Sequence, residues 1–97
     1  MIVRIVRLTL KQEHLAAFER LFESHHGAIE SQPGCRGVEL LTDPAHRCVR
    51  ATLSRWDAES YLNAYRSSAL FGEIWPETKA MFDAPPTVWT YEVGEAR

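Results

Sequence analysis

His25 is the residue of this chain best suited to moving a proton. At about 100° per residue, its side chain projects within roughly 30° of the centre of a stripe formed by Leu15, Phe18, Phe22 and Ile29. The imidazole is therefore expected to face inward. Imidazole ordinarily titrates at about pH 6.5, so a neutral inward histidine is well matched to taking a phenolic proton. A histidine on an apolar helix face is also the mark of a hydrogen-bonded core residue, and that reading stays open. His26 lies toward the edge of the stripe, His14 in the first turn of the same helix and His46 in a hairpin loop. These three are expected to be solvated. No His/Asp/Ser or His/His metal arrangement emerges from the spacings, and no zinc site is readable.

Tyr61, Tyr65, Phe71, Trp75, Trp56 and Trp89 could together form an aromatic wall, with hydroxyl and indole donors as polar contacts. Such a wall would favour a flat aromatic ligand. Aromatics at helical spacing also make plain core, and the sequence leaves both uses open. Arg4, Arg7, Arg50 and Arg55 fall on strand positions. They are expected to pair with Glu39, Glu92 or carboxylates of a partner subunit. The functional alternative has Arg4 or Arg50 holding a quinolate or carboxylate oxygen. Cys35 and Cys48 are expected near opposite ends of a hairpin ladder, Cys35 beside Ser54 and Cys48 beside Leu41, which argues against a disulfide.

The elements that must position these groups follow from periodicity. Ile2 to Leu10 reads as a strand with Ile2, Val6, Leu8 and Leu10 on one face and Val3 and Ile5 on the other, so both faces want cover. Glu13 to Ser31 reads as an amphipathic helix, stopped by Gln32-Pro33-Gly34. Cys35 to Leu41 and Arg47 to Trp56 form a hairpin around Thr42-Asp43-Pro44, with Val49, Ala51 and Leu53 alternating against Cys48, Arg50, Thr52 and Ser54. Two helical segments follow, with Asp57 expected to cap the first and Ser67 or Ser68 the second. Pro76 is expected to kink or restart the last helix. Thr87 to Val93 closes the chain as a strand with Trp89, Tyr91 and Val93 on one face.

The order β-α-β-β-α-α-β predicts an α+β, ferredoxin-like domain over residues 1–97: one antiparallel sheet of four strands with its helices on a single face. The uncovered face would carry Val3, Ile5 and a row of the last strand, so a homodimer packed sheet to sheet is expected. The size points the same way, because 97 residues bury a modest core. The composition, 45% hydrophobic and 25% charged, is that of a globular domain. A net charge of −2 without a basic stripe speaks against a nucleic-acid or acidic-membrane partner. Neither an export pattern nor a bilayer-length apolar run is visible, which makes the cytoplasm the expected location.

Four stretches carry a family resemblance: Arg7 to Leu10, Gln32-Pro33-Gly34-Cys35, Trp56-Asp57, and the block from Ala64 to Phe71. In these the chain resembles the antibiotic-biosynthesis-monooxygenase family of the dimeric α/β-barrel superfamily, over nearly its whole length. The resemblance implies a small dimer with a pocket in each subunit between helices and sheet, often opening quinols or polyketide phenols to oxygen. No flavin or metal is needed in such members, so no cofactor is expected. An electron-rich phenolate can itself pass an electron to oxygen, leaving the protein to deprotonate, orient and desolvate it. Haem-degrading relatives use an Asn, a Trp and an iron-ligating His where this chain has Val6, Tyr65 and Trp75. An indole nitrogen only donates, so the resemblance does not extend to haem degradation.

The resemblance singles out Tyr65 and Trp75 as pocket residues; the residue pattern itself adds Phe71, Tyr61 and Arg4 as further substrate-binding candidates and His25 as the base. The expected activity is cofactor-independent oxygenation of a small phenolic or quinol compound. The alternative is a dimeric module that binds a small aromatic ligand without chemistry, because fold does not fix function. Isomerisation with His25 as a proton shuttle is a third class that no motif supports.

Overall fold

A computed structural model describes residues 1–94 of the chain; the expected domain over 1–97 runs beyond them at 95–97. Strand β1 (Ile2–Thr9) leads through a short 3-10 turn (Gln12–His14) into helix α1 (Leu15–Glu30). A hairpin of β2 (Cys35–Thr42) and β3 (Val49–Trp56) follows, then helices α2 (Glu59–Arg66) and α3 (Ala69–Ala80), and finally β4 (Thr87–Glu92). The four strands form one antiparallel sheet in the order β2-β3-β1-β4. This is the ferredoxin-like α+β arrangement expected from the sequence.

The register sorts the side chains of the sheet. Ile5 stands opposite Leu53 and Trp89, Val3 opposite Arg55 and Tyr91, and Glu39 opposite Leu53. These residues share one face. The other face carries Val6 opposite Thr52, Arg4 opposite Ser54, and Val38 opposite Ser54. Its buried members Leu8 and Val38 lie with Phe18, Leu21 and Ile29 of α1, so this face is the one beneath the helices. The alternation in β3 therefore runs opposite to a simple hydrophobic-in pattern: Ala51 and Leu53 face away from the helices, and Thr52 and Ser54 face toward them.

Hairpin register departs from the expectation. Cys35 pairs with Trp56, Val38 with Ser54 and Thr42 with Arg50, and Cys48 lies outside both strands. Two local causes shift it. The Asp43 carboxylate accepts from the Ala45 amide at 2.8 Å, fixing a turn that keeps residues 43 to 48 out of the ladder. A bulge between Cys35 and Gly37 inserts Arg36, and Gly37 takes φ 139°, open to a residue without a Cβ. Both cysteines are free.

The helix caps divide the same way. Ser68 caps α3 by accepting from the Phe71 amide at 3.2 Å, as expected. Asp57 does not cap α2. Its carboxylate is taken by the Arg36 guanidinium in a two-pronged pair at 2.6 and 3.1 Å, and Ala58 occupies the cap position without a side-chain bond. Helix α3 runs through Pro76 to Ala80 without restarting. On the edge strand β2, His26 Nε2 donates to the Val38 carbonyl at 2.9 Å, and Glu30 accepts from the Val38 amide at 3.2 Å. This corrects the expectation of a solvated His26: with Glu30 it covers one pair of backbone groups on an otherwise open edge.

Gly34 is held at φ 77°, and any Cβ there would overlap the ring of Tyr61. Gly34→Ala combines a left-handed backbone with a steric clash and is expected to cost roughly 2–4 kcal/mol. Urea unfolding checks this, and a loss below 1 kcal/mol would show that the α1–β2 turn relaxes without strain.

Candidate functional site

Between the sheet and the three helices lies a cavity of about 110 Å³. Its floor is the helix-facing side of β1 and β3, with Arg4, Val6, Thr52 and Ser54. One wall is α1, which contributes Phe18, Phe22, His25 and Ile29. The opposite wall comes from α2 and α3, through Leu62, Tyr65, Phe71 and Trp75.

The second wall is a continuous run of aromatic contacts. Trp56, fully buried at 0% exposure, stacks on Tyr65 with ring centroids 5.2 Å apart. Tyr65 meets Phe71 edge-on at 5.4 Å, and Phe71 stacks on Trp75 at 5.6 Å. Trp75 meets Phe82 edge-on at 5.7 Å. Each pair lies within the 4.5–7 Å range in which aromatic quadrupoles attract. Two members of the expected wall are elsewhere. Tyr61 is exposed and packs over Gly34, outside the cavity lining. Trp89 shares the far face of the sheet with Ile5 and is 39% exposed. Phe82, which the sequence reading did not place, closes the row because its backbone bridges to Leu10.

Three titratable side chains line the cavity, His25, Tyr65 and Arg4. His25 Nδ1 lies 3.0 Å from the Leu21 carbonyl, to which it donates in the Nδ1–H tautomer. Ser24 Oγ donates to the same carbonyl at 2.9 Å and lies 3.1 Å from Nδ1. Nε2 makes no hydrogen bond among the described residues and in that tautomer holds the lone pair. Tyr65 is half-buried, and removal of its hydroxyl from water pushes its pKa up to about 12, with the nearby Arg4 charge opposing that rise. Arg4 is half-buried too; loss of water, then repulsion from Arg66, lowers its pKa. Thr52 makes no side-chain hydrogen bond among the described residues, whereas two other hydroxyls are satisfied locally. Ser54 Oγ accepts from the Trp56 indole at 3.0 Å, and Thr78 Oγ1 donates to the Ile74 carbonyl at 2.9 Å.

The remaining strand arginines are paired. Arg55 meets Glu39 at 2.8 Å as expected, whereas Arg7 meets Asp43 at 3.3 Å and Arg50 meets Glu19 at 3.0 Å. Arg50 also donates to the Arg47 and Val49 carbonyls, and it lies outside the cavity lining. Glu92 takes no ion pair among the described residues. His14 is half-buried and His46 exposed, and neither lines the cavity. Burial pushes the Cys35 thiol up, away from a reactive thiolate. Among the described residues no group of three or more His, Cys, Asp or Glu comes together, and no helix is long and apolar enough to cross a membrane.

The model of the antibiotic biosynthesis monooxygenase family matches residues 1–76. The chain belongs to this family. Solved structures agree in fold. A crystal structure of an antibiotic biosynthesis monooxygenase shares 17% identity and superposes with a TM-score of 0.89, over 98% of this chain and 100% of that one. Rv0793 from Mycobacterium tuberculosis shares 15% identity at a TM-score of 0.88, over 98% and 96% of the two chains. A conserved protein from Methanosarcina mazei Go1 shares 22% identity at 0.87, over 94% and 91%. No curated protein matches the chain at a significant level.

Within the monooxygenase family, the haem-degrading arrangement does not fit this chain. Trp75 is held between Phe71 and Phe82 and offers only an N–H donor. The cavity is also far smaller than the ~300–1,000 Å³ of ordinary cofactor and drug pockets.

The raised pKa of Tyr65 has a consequence at high pH. In the unfolded chain the hydroxyl ionises near 10, and in the folded chain near 12. The folded state then binds more protons between these values, so this stabilisation is complete below pH 10 and is lost as pH rises through 12. Tyr65→Phe keeps the ring contacts and is expected to flatten the loss of stability between pH 10 and 12. Denaturant unfolding across that range tests it, and equal slopes in both proteins would place the hydroxyl in water.

Proposed function

We propose that the chain, acting as a single domain over 1–97, is a cofactor-independent monooxygenase of a small phenolic or quinol compound. The observation that carries this reading is His25: it lines a mostly apolar cavity, and in the tautomer that donates Nδ1–H to the Leu21 carbonyl its Nε2 is a lone-pair base. A ring held by its Nδ1 contact needs little reorientation before it takes a proton. Family membership supports the reaction class.

In this mechanism Nε2 takes the hydroxyl proton, and the resulting phenolate or quinolate passes one electron to dioxygen. Recombination of the radical pair forms a carbon–oxygen bond at the ring. Loss of the ring hydrogen as a proton and cleavage of the O–O bond then give the quinone, with the second oxygen leaving as water. One molecule of phenol and one of dioxygen balance against one quinone and one water. Tyr65, Phe71 and Trp75 hold the ring, and the apolar lining keeps water from the anion, which strengthens electrostatic control of the step. Tyr65 stays protonated at neutral pH and serves as a hydrogen-bond donor to the substrate oxygen.

The functional unit is a homodimer. The sheet face away from the helices carries Ile5, Leu53, Trp89 and Tyr91, the last two 39% and 56% exposed. A second copy packed on this face would bury them all by a twofold axis. Cytoplasmic location belongs to the same proposal.

Oxygen uptake by metal-free protein over a panel of quinols and phenols tests the activity. His25→Ala is expected to lower the rate above spontaneous oxidation by on the order of 10². Unchanged turnover in that variant removes His25 from the mechanism; no uptake with any compound leaves a ligand-binding module. Sedimentation equilibrium tests the assembly, with a dimer expected for the natural chain and a monomer for Trp89→Glu. A monomeric natural chain at micromolar concentration would overturn the sheet-to-sheet interface.

A further inference from the structure

Arg4 is the one strand arginine without an ion pair among the described residues, and it lines the cavity. Its cross-strand neighbours are Ser54 on β3 and Thr90 on β4. Both are hydroxyl residues, and neither can neutralise a guanidinium. Ser54 is further engaged by the Trp56 indole. Among the described residues no Asp or Glu lines the cavity, so its charged lining there is positive alone. Arg66, exposed at the end of α2, adds a second positive charge near Arg4, close enough to lower its pKa.

A half-buried cation without a counterion costs stability unless a ligand supplies the missing charge. The planar guanidinium offers parallel N–H donors whose spacing matches a carboxylate in two hydrogen bonds. The cavity sets the size of the rest. At about 110 Å³ it approaches the ~150 Å³ engineered cavity of another protein that takes benzene, which is the scale of one ring rather than of three or four fused rings.

We infer that the ligand of this cavity is a single-ring phenolic acid whose carboxylate is held by Arg4, with Arg66 drawing the anion toward the site. The inference rests on the cavity being the substrate site of the proposed function, and concerns binding rather than oxygenation. It goes beyond that reading by fixing the ring count and the charge of the substrate.

Calorimetric titration of the full chain with 4-hydroxybenzoate and its neutral isostere 4-hydroxybenzamide separates the two. The acid is expected to bind roughly tenfold or more tightly than the amide, as charge-assisted hydrogen bonds require. Arg4→Met, checked for an unchanged melting profile, should abolish that preference. Arg66→Ala should weaken the acid by a few-fold, more at low salt than at high salt, and supplies the test should Arg4→Met not fold. Equal or tighter binding of the amide, a preference that survives Arg4→Met, or no binding of either ring overturns the inference. Oxygen uptake with neutral quinols alongside any of these results would leave the oxygenase reading standing. A carboxylate preference without uptake for any phenolic acid would do the reverse.

Discussion

The structure depends on one buried contact, the stacking of Trp56 on Tyr65. Trp56 ends the central strand β3, where its backbone pairs with both Ile2 and Cys35, and its indole N–H is satisfied two residues away on Ser54. A large side chain fixed at three points cannot yield. Tyr65 must settle against it, and Phe71, Trp75 and Phe82 follow in turn, each within 5.7 Å of its neighbour. Such pairs are worth about 0.5–1.5 kcal/mol each beyond the area they bury. Their geometry matters more than their energy here. This run of stacked and edge-on rings holds α2 and α3 to one side, and the space left toward α1 is the cavity.

The sheet beneath that cavity is arranged against the usual economy of a half-buried strand. Thr52 and Ser54 face the helices while Ala51 and Leu53 face outward, beside Ile5 and Trp89. Polar groups under a helix layer are tolerated when they are hydrogen-bonded or border a void. Ser54 is hydrogen-bonded, and both residues border one. The same choice leaves an apolar row on the outer face, so the polarity that furnishes the cavity also creates the surface on which a second subunit would pack. Site and assembly are two results of one alternation.

Charge is distributed with a similar division. Arg7, Arg36, Arg50 and Arg55 are spent on Asp43, Asp57, Glu19 and Glu39, which tie loops and helix α1 to the strands. Pairs of this kind, largely exposed, contribute little stability each but set which segments lie together. Among the described residues Arg4 makes no such pair. Its neighbours in the sheet are hydroxyls, and its nearest charged influence is another arginine. A cation kept in this state is a cost to folding, and it marks the floor of the cavity as the place where the ligand's charge completes the electrostatics.

Much of this was written in local pattern. The strands, the amphipathic α1, the Ser68 cap and the inward turn of His25 follow from periods of 2 and 3.6 and from short-range hydrogen bonding, which neighbouring residues decide among themselves. Other features were decided only by residues distant in sequence. Asp57 was taken from its helix by Arg36, 21 residues away, and His26 was drawn to the Val38 carbonyl, because each pairing outcompetes solvent once the elements meet. Tyr61 and Trp89 carry the same aromatic chemistry as Tyr65 and Trp75, yet a turn glycine claimed the first and strand parity sent the second outward. Period 2 says that two rows of a strand differ. It does not say which row lies inside. The sequence by itself determined the order of elements and the two faces of each one. Only the tertiary structure decided which face enclosed the cavity and set Arg4 on its floor between hydroxyl neighbours, because register and packing are settled by contacts that exist only after the chain has folded.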